Sequence, residues 1–183
     1  SRNGAQWMKS AYRELKEGHM RDISLRRMTA LMHRNQCSGK PVGEWPLASK
    51  DQLTGNELKL AYVYQLMSTD PQTAHEHDLV ELVEKIMEWR GFHHIPVENE
   101  AGECLGIITR TNLENAKQKH GKLGNMFASE IMERNVITAD PNDKILDAKR
   151  LMIEQGIGAL PVIHDGKLVG VITKFDVSEL EEE

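Results

Sequence analysis

The chain repeats itself once, and that repeat restricts the fold more than any other feature. At an offset of 65 residues, Met67 aligns with Met132, Thr73 with Thr138 and Ala74 with Ala139. The same offset aligns Asp78 with Asp143, Met87 with Met152, Gly91 with Gly156 and Pro96-Val97 with Pro161-Val162. A one-residue gap then sets the offset to 64, and Gly102 aligns with Gly166, Gly106 with Gly170 and Ile108-Thr109 with Ile172-Thr173. Matches at glycine, proline and threonine are the informative ones, because each fixes a backbone conformation or a hydrogen-bonding need. The period exceeds the roughly 20–50 residues of solenoid repeats. It reads as a duplicated small domain.

Each copy carries the same signals in the same order. A short extended piece comes first (Gln72-Thr73-Ala74; Val136-Ile137-Thr138-Ala139). A helix follows from Asp78, or from Asn142 and Asp143 in the second copy. Its apolar face is Leu79, Leu82, Val83, Ile86 and Met87, then Ile145, Ala148, Leu151 and Met152, at helical spacing. Gly91 and Gly156 stop these helices as C-cap glycines do. A strand over 92–97 or 157–163 leads through a turn at Gly102 or Asp165-Gly166 to a strand over 104–109 or 168–173, then a short closing helix. The pattern predicts β-α-β-β-α twice, an α/β (α+β) fold with the copies in a pseudo-two-fold pair. Residues 55–121 form the first copy and 122–183 the second. Residues 125–132, between them, are predicted as a short helix.

Residues 1–54 read as a helical extension and connector. Met8, Ala11, Tyr12 and Leu15 share one helical face, and Leu25, Met28, Leu31 and Met32 another. Pro41 and Pro46 forbid a long helix after that. Thr54-Gly55-Asn56-Glu57 is a capping box, predicted to open a helix through Leu58, Ala61, Tyr62 and Leu66 to Met67. The chain starts at Ser1 without an initiator Met, so a fragment of a longer polypeptide is expected.

The net charge of −5 argues against a nucleic-acid partner, which would need a basic face. No apolar run nears the ~20 residues that span a bilayer, so no membrane partner is expected. Two cysteines, Cys37 and Cys104, make no disulfide framework, and a cytoplasmic setting is the expectation. Cys104 aligns with Leu168 and reads as a core residue. His75 and His77 precede a helix cap, and His93 and His94 face opposite ways on a strand, so no metal site is predicted. No nucleophile elbow, metal-ligand set or phosphate-cradling glycine loop is present, so no catalytic residue and no catalytic cofactor is assigned.

The x-Pro-Val strand, the glycine turn and Gly-x-x-Thr-x-x-Asp, in that order and twice, resemble the cystathionine-β-synthase (CBS) domain. Two in tandem resemble a Bateman module, over about residues 57–180. The resemblance implies a regulatory module that binds an adenosine-type ligand (AMP, ADP, ATP or S-adenosylmethionine, with or without Mg²⁺) and controls an attached enzyme or transporter, commonly as a homodimer through the linking helices. It implies clefts that combine the Thr/Asp motif of one copy with the early strand and x-Pro-Val strand of the other. One site would use Thr173, Lys174 and Asp176 with Gln72, Thr73, Ala74, His93, His94, Ile95 and Pro96. The second would use Thr109, Arg110 and Asn112 with Ile137, Thr138, Gly158, Ala159, Leu160 and Pro161.

The residue chemistry suits such a ligand. A ribose presents two adjacent hydroxyl donors, and the Asp176 carboxylate, three residues past Thr173 in the first turn of the closing helix, can accept both. A hydrogen bond to a charged acceptor contributes roughly 1.5–3 kcal/mol, against about 1 for a neutral one. Thr173 and the helix amides can meet phosphate oxygens. Asn112 stands where the second copy has Asp176 and accepts without full charge, so the second site is expected to be weaker or empty, with Arg110 offsetting part of the loss. The alternatives are a ligand-independent dimerisation module with degenerate clefts, or the regulatory tail of a glutamate–cysteine ligase-like enzyme. The second of these rests on a faint similarity of Gly4-Ala5-Gln6-Trp7-Met8 and residues 39–45 to the C-terminal end of such proteins.

Overall fold

The computed structural model describes residues 60–69, 71–178 and 180. The helices expected within 1–40, the capping box at Thr54, the ligase-like stretches, Trp7, Trp45, Cys37 and the acidic tail lie outside the described residues. The elements in order are α1 (Val63–Leu66), β1 (Ala74–His75), α2 (Val80–Arg90), β2 (His94–Glu98), β3 (Cys104–Thr109), α3 (Arg110–His120), α4 (Ala128–Ile131), α5 (Ile145–Glu154), β4 (Ala159–His164) and β5 (Lys167–Thr173). This is the mixed α/β duplication expected from the repeat.

The sheets are small. β1 runs parallel to β2, and β2 antiparallel to β3. β4 and β5 form the matching hairpin, and Ala139 bridges Val162 as Ala74 pairs with Val97. The registers agree: Ile95 faces Ile108 and Leu160 faces Ile172, and the pairing slips at Val97/Glu98 and again at Val162/Ile163. A bulge at the same place in both copies bends both hairpins alike. Gly91 follows α2 with φ 70°, and Gly156 lies beyond α5 with φ 64°. Both are left-handed and favour glycine.

Packing exchanges the leading segments. Ala61, Val63, Leu66 and Met67 sit in one core with Ile145, Met152, Leu160, Val169 and Ile172 of the second copy. Ala128 and Met132 sit in the other core, with Val80, Met87, Ile95 and Ile108 of the first copy. Backbone bonds repeat the exchange: Val63 N–H donates to Asp143 O and Ala128 N–H to Asp78 O. Ser68 pairs with Val171 and Glu133 with Ile107. Each copy therefore closes its core with chain that precedes the other copy.

Several sequence expectations change. The helix predicted through Ala61 and Tyr62 is interrupted: Tyr62 is extended (φ −103°, ψ 158°) and bridges Lys144, leaving the four-residue α1. Docking on the other copy outweighs helical propensity here. In α2 the buried face is Val80, Val83 and Met87, while Leu82 and Ile86 are half-buried. The first closing helix, α3, is 11 residues rather than short. In the second copy no closing helix is seen among the described residues: residues 174–178 are turns, so Asp176 caps a turn. The joining helix falls inside 125–132, as expected.

Candidate functional site

The site is built from two equivalent corners. β3 ends at Thr109, the N-cap of α3, and its backbone N–H and Oγ1–H both donate to Asn112 Oδ1, at 2.8 and 2.6 Å. Asn112 N–H returns a bond to Thr109 Oγ1 at 3.2 Å. β5 ends at Thr173, whose N–H and Oγ1–H donate to Asp176 Oδ2 at 2.7 and 2.6 Å. The amide and the carboxylate thus take the same two threonine donors, while Asp176 N–H donates to Thr173 O at 3.0 Å rather than to the hydroxyl. The hydroxyl hydrogen of each threonine is directed inside its corner. Asp176 keeps Oδ1 beyond the corner, while Asn112 keeps its Nδ2.

A cavity of about 340 Å³ opens at the Thr109–Asn112 corner. Ile107, Thr109, Thr111 and Asn112 wall one side, and Val136, Ile137, Gly156, Ile157, Gly158 and Ala159 the other; Glu133, Asn135 and His94 complete it. The wall from the second copy is narrow because it is made of small or slim residues. At the positions equivalent to Ile157, Gly158 and Ala159 the first copy carries Phe92, His93 and His94, which are bulkier on the Thr173 side.

His94 ties the two copies together. A Cβ built on Gly158 would lie 2.8 Å from His94 Cε1 and 3.0 Å from Nε2, so a side chain there would push the ring from its present place. Burial, then the neighbouring His93, then Lys174, hold the His94 imidazole below its ordinary pKa of 6.5, which favours the neutral ring. Arg110 N–H donates to His93 O at 3.2 Å, and Lys174 N–H to Gly158 O at 3.0 Å, the same bond in both copies.

Of the residues assigned to the second site, Thr109, Asn112, Ile137, Gly158 and Ala159 line the cavity together. Arg110 is exposed beside it, with Nε 3.4 Å from Phe92 O. Thr138 is exposed, and Leu160 and Pro161 are buried in the strand behind. Of the first site, His94 reaches the same cavity. Thr73 donates to Glu98 Oε1 at 2.6 Å in the interior, Gln72 Nε2 bonds Thr73 O at 3.2 Å, and Ala74, Ile95 and Pro96 are buried. His93 and Lys174 are exposed. Ile107, Thr111, Glu133, Asn135, Val136, Gly156 and Ile157 are lining residues that sequence reasoning missed. Thr111 lay inside the motif already aligned, and Ile157 at the start of the predicted strand.

Cys104 is half-buried, and desolvation pushes its thiol up to about 11. That fits a packing residue rather than a nucleophile. Among the described residues no cluster of His, Cys, Asp and Glu could hold a metal ion, and no helix is long and apolar enough to cross a membrane.

Two interlocked β-α-β-β units facing each other across a cavity define a tandem regulatory-domain pair. Residues 63–118 and 128–183 each match the CBS domain, and the chain belongs to that family. As a CBS pair, this region is a regulatory module rather than a catalytic one. It is 31% identical to the CBS domain pair of protein MJ0100, solved with 5′-methylthioadenosine and S-adenosyl-L-methionine, with a TM-score of 0.59 over 66% of this chain and 95% of that one. An acetoin utilization protein of Vibrio cholerae (TM-score 0.61, 23% identity, 68% of this chain and 99% of that one) shares the fold. Among relatives, L-aspartate semialdehyde sulfurtransferase of Methanocaldococcus jannaschii is 31% identical over 66% of this chain and 23% of its own length. A CBS domain-containing protein of Dictyostelium discoideum is 30% identical over 64% of this chain and 89% of its length. The chain thus spans about a quarter of the length of the sulfurtransferase.

Proposed function

We propose that this CBS pair senses an adenosyl ligand, AMP, ADP, ATP or S-adenosylmethionine, bound between its two copies. The observation that carries this reading is the cavity whose apolar wall (Val136, Ile137, Ile157, Ala159) faces the polar Thr109–Asn112 corner. A flat purine suits the wall, and hydroxyl or phosphoryl oxygens suit the corner. The 31% identical MJ0100 pair, solved with two adenosyl compounds, supports it. The Thr173–Asp176 corner, with Lys174, is the proposed ribose site, where Asp176 Oδ1 accepts hydroxyl donors.

Ligand in the cleft favours one arrangement of the two copies, and an attached partner reads that arrangement as a population shift. The 33% identical homoserine O-acetyltransferase of Methanococcoides burtonii, of which this chain covers 25%, supports control of an enzyme carried on the same polypeptide. Trp89 and Ile153, exposed on α2 and α5, are the proposed faces for pairing with a second copy. The deciding experiment is calorimetric titration with AMP, ADP, ATP and S-adenosylmethionine, with and without Mg²⁺, repeated on Asp176→Ala. Heat of binding from at least one of them is expected. No binding by any would leave a ligand-independent dimerisation module.

A further inference from the structure

The two corners bind the same two threonine donors and differ in the side-chain atom left over, and that atom reverses what they offer to a ligand. Thr109 N–H can only donate, so the pole of Asn112 that faces it has to be the oxygen. The second bond, from Thr109 Oγ1–H at 2.6 Å, fixes the same pole. The amide cannot flip without setting an N–H₂ against a backbone N–H. Among the described residues, Nδ2 has no hydrogen-bond partner, and Asn112 lines the cavity. At the equivalent place Asp176 spends Oδ2 on Thr173 and leaves Oδ1. One corner presents a donor, the other an acceptor.

We propose that the cavity at Asn112 selects its ligand through an acceptor, a nucleotide phosphoryl oxygen received by Asn112 Nδ2, where the Asp176 corner selects hydroxyl donors. The charge around the corner agrees. Asn112 itself carries no negative charge, and Arg110 stands two residues before it, exposed beside the cavity. Glu133 is the acid on the lining, and its Oε1 is turned onto Asn135 N–H at 3.0 Å. A carboxylate at 112 would instead set like charge against a phosphoryl group. The departure from aspartate thus changes the kind of ligand rather than only weakening the site. This inference rests on the nucleotide reading of the cavity.

The test compares AMP with adenosine on the full chain, wild type and Asn112→Asp. Asp176 shows that an aspartate takes the same two threonine donors as the asparagine does, so the variant should keep its fold, which thermal unfolding checks. Calorimetry is expected to give a preference for AMP over adenosine that falls at least tenfold in Asn112→Asp. With ¹⁵N-asparagine labelling, the side-chain amide signal lost in that variant should shift with AMP and not with adenosine. An unchanged preference, or an equal shift with adenosine, overturns the proposal, as does failure of AMP to bind the wild-type cavity. That last failure is separable from failure of the sensor reading, which fails only if none of AMP, ADP, ATP and S-adenosylmethionine binds the full chain.

Discussion

The imidazole of His94, from the first copy, lies against Gly158 of the second, so close that a Cβ there would stand 2.8 Å from Cε1. The ring is a side-chain end and can turn aside, and the space open to it is the cavity that both residues line. Gly158→Ala is therefore expected to cost about 1 kcal/mol, the low end of overpacking, while partly filling the cavity. Adenosyl ligands should bind several-fold more weakly. His94→Ala in the same background should restore most of the stability, since contacting residues couple in double-mutant cycles. Urea unfolding of the four proteins measures the coupling.

His94 also sets a pH dependence. Its folded pKa lies below 6.5, because of burial first and then its neighbours His93 and Lys174. Above pH ~6.5 the ring is neutral in both folded and unfolded chains and contributes no slope. As pH falls below that, the unfolded chain takes up the proton first, and stability declines until the folded pKa is passed. Wild type is expected to lose more stability than His94→Asn between pH 7 and 5. Denaturant midpoints across that range provide the comparison, and parallel curves would contradict it.

The repeat made the fold legible because its glycines and prolines mark backbone events that both copies must share: the stops at Gly91 and Gly156, and the hairpins with their equivalent register. The exchange of leading segments was not legible. Ala61, Tyr62 and Leu66 have helical spacing whichever core receives them, and only long-range contacts with Asp143, Ile145 and Val171 show where they dock. At the site, the alignment of Asn112 with Asp176 was visible, and five of the nine residues expected at that corner line one cavity. The hidden part was that each threonine turns its hydroxyl inward, because a short polar side chain three residues on competes for the same donors. The open wall at Ile157-Gly158-Ala159 was readable only by asking which copy carries the smaller side chains.

Cys104 should behave as a buried thiol. With its pKa pushed up to about 11 by burial, about one thiol in a thousand is ionised at pH 8, and the thiolate is the nucleophile. In a Cys37→Ser background, native protein should react with iodoacetamide on the order of a hundredfold more slowly than the same protein in denaturant. Mass spectrometry of timed samples gives both rates. Native labelling at the denatured rate would mean that the β3 edge opens freely.

Gly106 and Gly170 sit where the copies exchange backbone pairing, and their substitution should be costly. A Cβ on Gly106 would stand 2.7 Å from Met132 Sδ and 2.8 Å from Glu133 O; on Gly170, 2.7 Å from Met67 Sδ and 2.8 Å from Ser68 O. The carbonyls are the difficulty, because they belong to paired backbone: Ile107 with Glu133, at 3.0 and 2.9 Å, and Val171 with Ser68, at 3.0 and 2.9 Å. The methionine can swing away and the carbonyl cannot without breaking its bonds. Gly170→Ala and Gly106→Ala are each expected to cost about 2–3 kcal/mol, the upper part of the overpacking range. Adding Met67→Ala to Gly170→Ala should not restore stability, since the Ser68 carbonyl remains and a core side chain is lost. Chemical denaturation of both single variants and the double variant decides this, and recovery to wild-type stability in the double would show that the sulfur contact, not the backbone pairing, makes glycine necessary.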